Sequence, residues 1–173
     1  EAAELWGGGG TPAPKGSAHR LVAPYQAMAA ADGYFNLGVA NQAVWERFCN
    51  AVGRADLLAD PRFATNADRT QHYVELATAI EETTLTRPAE HWLKLLDDAG
   101  VPAGPIYDMA EVFADPQVLA RGMVQELEHP VAGLVKHLGI PVKLSETPGE
   151  LRMPAPTLGQ HTSEIFRRFG IAP

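Results

Sequence analysis

Apolar positions recur with a helical period through the middle of the chain. Val44, Phe48, Ala51 and Val52 fall at i, i+4, i+7 and i+8, on one helical face. Asn41 precedes them as an N-cap and Gly53 follows as a stop. The stretch "DPRFATNADR" (60–69) reads as a turn and then a second cap at Asn66. A long helix is predicted after it, with Tyr73, Leu76, Ala77 and Ile80 on its inner face. Pro88 suits the first turn of the next helix, which carries Trp92, Leu95, Leu96 and Ala99 and ends at Gly100.

The flanks carry other periods. "YQAMAAADGYFNLGV" (25–39) holds two short extended runs around Asp32-Gly33, a hairpin signal. "VPAGPIYD" (101–108) has two prolines among apolar residues, which suits an edge or crossing segment. Asp108 with Glu111 forms a capping box for a short helix, and "DPQVLARGM" closes at Gly122. "MVQELEHP" and "LVKHLGIPVKL" are strand-like, with a turn at 130–133, and "TSEIFRRFG" is a last helix stopped by Gly170. The pattern predicts an α/β chain in three parts. Residues 1–20 are a glycine-rich loop and linker. About 21–120 form a small α/β domain. Residues 121–173, strands plus a short helix, need a surface to pack on.

Composition narrows the classes. The chain has 173 residues, 46% hydrophobic and 20% charged, enough for one cored domain with an appendage. Net charge is −7 with no basic cluster, which argues against nucleic acid and anionic membrane as partners. No apolar run reaches bilayer length. One cysteine, Cys49, allows no internal disulfide and fits a cytoplasmic location. A start at Glu1 that reaches a glycine tract within a few residues reads as the continuation of a longer chain.

The residues offer little self-evident chemistry. "LWGGGGTPAPKGS" (5–17) holds Gly7, Gly8, Gly9 and Gly10 before Thr11. Glycines admit positive φ and close backbone approach, so such a loop can cover a ligand; it equally suits a flexible linker. A phosphate loop is excluded, because Lys15 is followed by Gly16 before Ser17. None of the six histidines has metal-ligand spacing. Cys49 reads as a small buried hydrophobe. Asp32, Asp60, Asp108 and Asp115 sit at turns and caps. Trp45, Phe48, Tyr73 and Trp92 sit at core spacing. On residues alone the chain is an α/β unit with a mobile glycine loop and a dependent tail.

Seven stretches in order resemble a known family: "GGGG", "ADGYFNLGVANQAVWERFC", "LLADPRFATNADR", "AGVPAGPI", "ADPQVLARGM", "GIPVKLSETPG" and "LGQHTSEI". They are similar to the C-terminal half of family III CoA-transferases, the CaiB/BaiF group, which includes the formyl-CoA transferases; α-methylacyl-CoA racemase shares the fold. The resemblance implies a C-terminal part of that fold, with a return segment that packs on a Rossmann-like large domain. It implies acyl-CoA and a carboxylic acid as substrates, coenzyme A without any prosthetic group or metal, and an interlocked homodimer. It implies that Gly7, Gly8, Gly9, Gly10 and Thr11 are the active-site loop over an aspartyl thioester. No position here matches the catalytic aspartate, so the chain alone is expected to be inactive without its N-terminal CoA-binding half. Thr11 stands where the formyl-CoA transferase pattern has Gln. The alternatives are an acyl-CoA racemase of the same fold and a non-catalytic interaction module.

Overall fold

The computed structural model describes residues 2–7, 10, 11 and 13–171. The chain divides into two compact units, Glu1–Ile106 and Tyr107–Pro173. The division falls after Ile106 rather than near 120.

The first unit opens with a short helix, α1 (Ala2–Trp6), where a loop was expected. Ala2, Ala3 and Leu5 are strong helix formers, and one turn forms without a buried face. Strands β1 (Tyr25–Ala30) and β2 (Gly33–Gly38) make the expected hairpin. Its two-residue link is Ala31-Asp32, not Asp32-Gly33, and neither linking residue has positive φ. The tip is instead held from outside. Arg87 O accepts from Ala31 N (3.0 Å) and Asp32 Oδ1 accepts from Ala89 N (2.8 Å).

Five helices follow: α2 (Gln42–Ala51), α3 (Ala55–Ala59), α4 (Asn66–Gln71), α5 (Tyr73–Thr84) and α6 (Ala89–Asp98). Asn41 caps α2 by accepting from Val44 N, as the spacing predicts. Three details differ from what the sequence predicts. The cap before α4 is Thr65, whose Oγ1 accepts from Asp68 N (3.2 Å) while Asp68 Oδ2 accepts from Thr65 N (3.0 Å). The expected long helix is interrupted at His72 (φ −106°, ψ 34°), whose ring nitrogen lies 3.0 Å from Asp68 O and competes for the carbonyl. Pro88 is the N-cap of α6 rather than its first residue.

Strand β3 (Ala103–Pro105) joins β2 to give an antiparallel sheet ordered β1-β2-β3. Register pairs Met28 with Phe35, and Met28, Phe35 and Leu37 are buried. Helix α5 packs on β1, and α6 on β2 and β3. Trp45, Phe48, Phe63, Leu76, Ile80 and Leu96 complete the core, at about 1.5–3 kcal/mol of transfer free energy each. The free edge of β1 is covered by side chains. Ser17 Oγ accepts from Ala27 N, Glu81 Oε1 accepts from Ala29 N, and Thr84 Oγ1 donates to Ala29 O. That arrangement blunts edge pairing.

Cys49 lies fully buried on α2. Burial pushes its thiol from 9.0 up to about 12, against a downward pull from Arg69. A thiolate-selective reagent at pH 8 is therefore expected to leave native Cys49 intact and to label it once urea unfolds the chain. The folded state holds this proton more tightly than the unfolded state. The thiol's contribution to stability is thus full below pH 9.0 and is lost as pH rises towards about 12.

The second unit holds α7 (Met109–Ala114), α8 (Pro116–Ala120), the hairpin β4 (Val124–His129)–β5 (Gly133–Leu138), and α9 (Thr162–Phe169). Asp108 and Glu111 form the expected capping box, each accepting from the other's amide at 2.8 Å. Phe113 of α7 shares a cavity lining with Val124 and Leu138 of the hairpin, so the two short helices go with this unit. Among the described residues, all buried hydrophobic side chains lie between Ala23 and Val101. Among the described residues of the second unit, Val131, Met153, Leu158 and Phe169 are strongly exposed.

Candidate functional site: the glycine segment and its strap

The glycine segment leaves α1 through Gly7, whose amide donates to Ala3 O (2.8 Å) in a turn. Gly8 and Gly9 lie outside the described residues. Gly10 and Thr11 are exposed. Gly10 has φ +82°, and a Cβ there would meet nothing within 4 Å. Its backbone conformation, not lack of room, is what calls for glycine.

From Ala13 the chain runs as a strap over the first unit. Lys15 Nζ sits 4.4 Å from the centre of the Tyr73 ring. Gly16 takes φ +61° in a turn where Ala18 N donates to Lys15 O (3.1 Å). His19 N then donates to Tyr25 O (2.8 Å), and the His19 ring tilts against the Tyr25 ring at 5.3 Å. Beside this strap an open cleft of about 430 Å³ runs along Ser17, Gln26, Asn36 and Gly104.

Two residues of α4 anchor the end of the strap. Asn66 Nδ2 donates to Leu21 O (2.8 Å), and its Oδ1 accepts from Ala23 N (3.2 Å). Arg69, three positions on, faces the same way. It is fully buried. Its Nε donates to Ala23 O (2.8 Å), and one terminal nitrogen donates to Phe63 O and Gln42 Oε1 (3.0 Å each). The guanidinium also lies 5.0 Å from the Trp45 ring. These acceptors are all neutral oxygens. Burial pulls the Arg69 pKa below its ordinary value, yet a guanidinium stays protonated at working pH.

The sequence predicts Asn66 as a cap and gives Arg69 no assigned role. The signal was there in their i, i+3 spacing after "DPRF". Their shared partners on the strap, Leu21 and Ala23, lie more than 40 residues upstream, which no local pattern reveals. The aspartates are occupied much as expected. Asp60 accepts from Arg62 N and Asp115 from Gln117 N and Val118 N. The Arg62 guanidinium holds the Asp60 carboxyl below its usual range. Among the described residues no group of three His, Cys, Asp or Glu side chains is placed to hold a metal ion. Among the same residues no helix is long and apolar enough to cross a membrane.

The family model for CoA-transferase family III matches residues 2–162. The chain belongs to CoA-transferase family III. This family III chain is 36% identical over 158 residues to the succinate–glutarate CoA-transferase of Agrobacterium fabrum, covering 91% of this chain and 40% of that protein. It is 36% identical over 152 residues to the succinyl-CoA:glutarate CoA-transferase of Homo sapiens, covering 88% and 35%. The crystal structure of a CaiB/BaiF family protein from Brucella suis matches with TM-score 0.76 and 35% identity, over 96% of this chain and 43% of that one. The fold is thus a mixed α/β portion of the CaiB/BaiF type. The family III chain spans about two-fifths of the length of these relatives.

Proposed function

We propose that the full-length protein transfers CoA between an acyl-CoA and a small dicarboxylic acid. This chain is its C-terminal portion and supplies the small domain, the active-site glycine loop and the return segment. The observation that carries this reading is the family match over residues 2–162, which includes the glycine tract Gly7–Gly10. The relatives support the acid class. Similar transferases are named for succinate with glutarate, succinyl-CoA with D-citramalate (Chloroflexus aurantiacus), and formyl-CoA with oxalate (Rhodopseudomonas palustris).

In this reading a carboxylate from the N-terminal half attacks the acyl-CoA carbonyl and expels CoA thiolate, leaving a mixed anhydride. The thiolate attacks the enzyme-side carbonyl, which releases the first acid and leaves an enzyme thioester. The acceptor carboxylate attacks that thioester and again expels CoA thiolate. Attack of the thiolate on the acceptor side then gives the new acyl-CoA and the original carboxylate. No prosthetic group is needed, because CoA is itself a substrate. The loop at Gly7–Gly10 covers the thioester against water. A positive φ at Gly10 suits a backbone that folds over a reacting carbonyl.

The exposed apolar side chains of the second unit fit a return segment that docks on the large domain. The full-length protein is an interlocked homodimer of the cytoplasm. The test separates transfer from epimerisation. Given a 2-methylacyl-CoA, the full-length protein is expected to form a new thioester only when a dicarboxylic acid is added. Epimerisation at C2 with no acid present would overturn the reading in favour of a racemase.

A further inference from the structure

The β4–β5 hairpin turns through Pro130, Val131 and Ala132, between the paired residues His129 and Gly133. Gly133 takes φ +70°, the left-handed residue that closes a three-residue loop. Pro130 has no amide hydrogen to satisfy. The other two loop amides both go to one side chain. Val131 N donates to His129 Nδ1 at 3.1 Å, and Ala132 N donates to the same nitrogen at 3.0 Å.

Asp, Asn or Ser commonly holds the first position of such a turn and accepts from the amides that follow. Here an imidazole does so, and the substitution changes the chemistry. A ring nitrogen accepts only while it carries no proton. The neutral ring with its hydrogen on Nε2 fits both bonds; the imidazolium has a donor at Nδ1 and fits neither. By register and strand alternation, His129 shares its face of the hairpin with Gln125, Leu127, Gly133, Val135 and His137. His137 is the titratable group on that face, about 13 Å away along the strand. Glu126, Glu128 and Lys136 lie on the other face, and the two strands pack chiefly on each other. No carboxylate of the hairpin therefore faces the ring to hold a proton on it.

We propose that His129 is a proton-sensitive latch on the β4–β5 turn. Neutral, it holds the Val131 and Ala132 amides. Protonated, it swings off and leaves both amides to water, so the tip loosens as pH falls. Val131 at the tip is 78% exposed, so the released amides find water without the strands unfolding. The latch needs no ligand and stands apart from the transfer reaction.

The test uses the full-length protein and its His129→Asn variant. Amide exchange at Val131 and Ala132 is read residue by residue at pH 8 and pH 5, as protection relative to the intrinsic rate at each pH. These values bracket the range in which histidines take up a proton. In the wild type, protection at both amides is expected to fall about tenfold from pH 8 to pH 5, with the β4–β5 ladder amides unmoved. Asparagine keeps an oxygen for the two amides and does not titrate, so the variant is expected to hold its protection within about twofold. Independently of the variant, nitrogen-15 shifts of the His129 ring at pH 8 are expected to show a bare Nδ1 and a protonated Nε2. Equal protection at the two pH values in the wild type overturns the inference. An equal fall in His129→Asn overturns it too, by placing the titration elsewhere. So does a fall shared by the whole ladder, which is unfolding rather than a latch, and so does a proton on Nδ1 at pH 8.

Discussion

Replacing Arg69 by alanine is expected to destabilise the first unit by about 3–5 kcal/mol. Two losses add. The side chain is fully buried among Trp45, Phe63 and the Ala23 backbone, so its removal leaves a cavity. It also strands the buried carbonyls of Ala23 and Phe63, to which this guanidinium donates, whereas exposed Gln42 can turn its amide oxygen to water. Each buried acceptor left unpaired costs about 1–3 kcal/mol. Lysine is expected to fall between wild type and alanine, because one ammonium cannot reach three acceptors in a plane. Urea denaturation followed by tryptophan fluorescence checks this, since Trp45 lies under the guanidinium. A shift of less than about 1 kcal/mol for Arg69→Ala would show that the site collapses and that Arg69 holds nothing in place.

Gly139→Ala is expected to disrupt the second unit and spare the first. Gly139 is buried where the chain leaves β5, and its amide donates to Met123 O (2.9 Å). A Cβ there would overlap the Gly122 carbonyl oxygen and sit 2.9 Å from Met123 Cα. Both obstacles are backbone, so no rotamer change relieves them. The cost is at least the 1–3 kcal/mol typical of overpacking. Amide exchange reads it directly. The Gly139 amide and the β4–β5 ladder are expected to lose protection, while Phe35, Leu37 and Leu96 keep theirs. Unchanged protection across Val124–Leu138 would show that the crossing can widen at little cost.

Most elements could be read from the sequence because their determinants are local. Helix α2 has its cap, period and stop within thirteen residues, and the structure reproduces all three. The β4–β5 hairpin and α9 with its Gly170 stop follow from the same kind of signal. The misses have one physical origin. At His72 a side chain competes with the backbone, and at the β1–β2 tip Arg87 and Ala89 hold a turn that Asp-Gly would otherwise close. At Thr65 two residues could both cap, and long-range bonds to Leu21 and Ala23 draw Asn66 away. Such contacts join residues far apart in sequence and leave no periodic trace. The candidate site divides in the same way. Four consecutive glycines stand out in any reading, whereas the clamp of Asn66 and Arg69 on Leu21 and Ala23 exists only once α4 lies against the strap.

The most direct test of the central claim is a label-transfer measurement. The full-length protein and residues 1–173 alone would each be given succinyl-CoA and carbon-13 glutarate, and the glutaryl-CoA product would be followed by mass. The expected result is labelled glutaryl-CoA, with matching release of succinate, from the full-length protein and none from the chain alone. Labelled product from residues 1–173 alone, or none from the full-length protein with any small dicarboxylic acid, would contradict the claim.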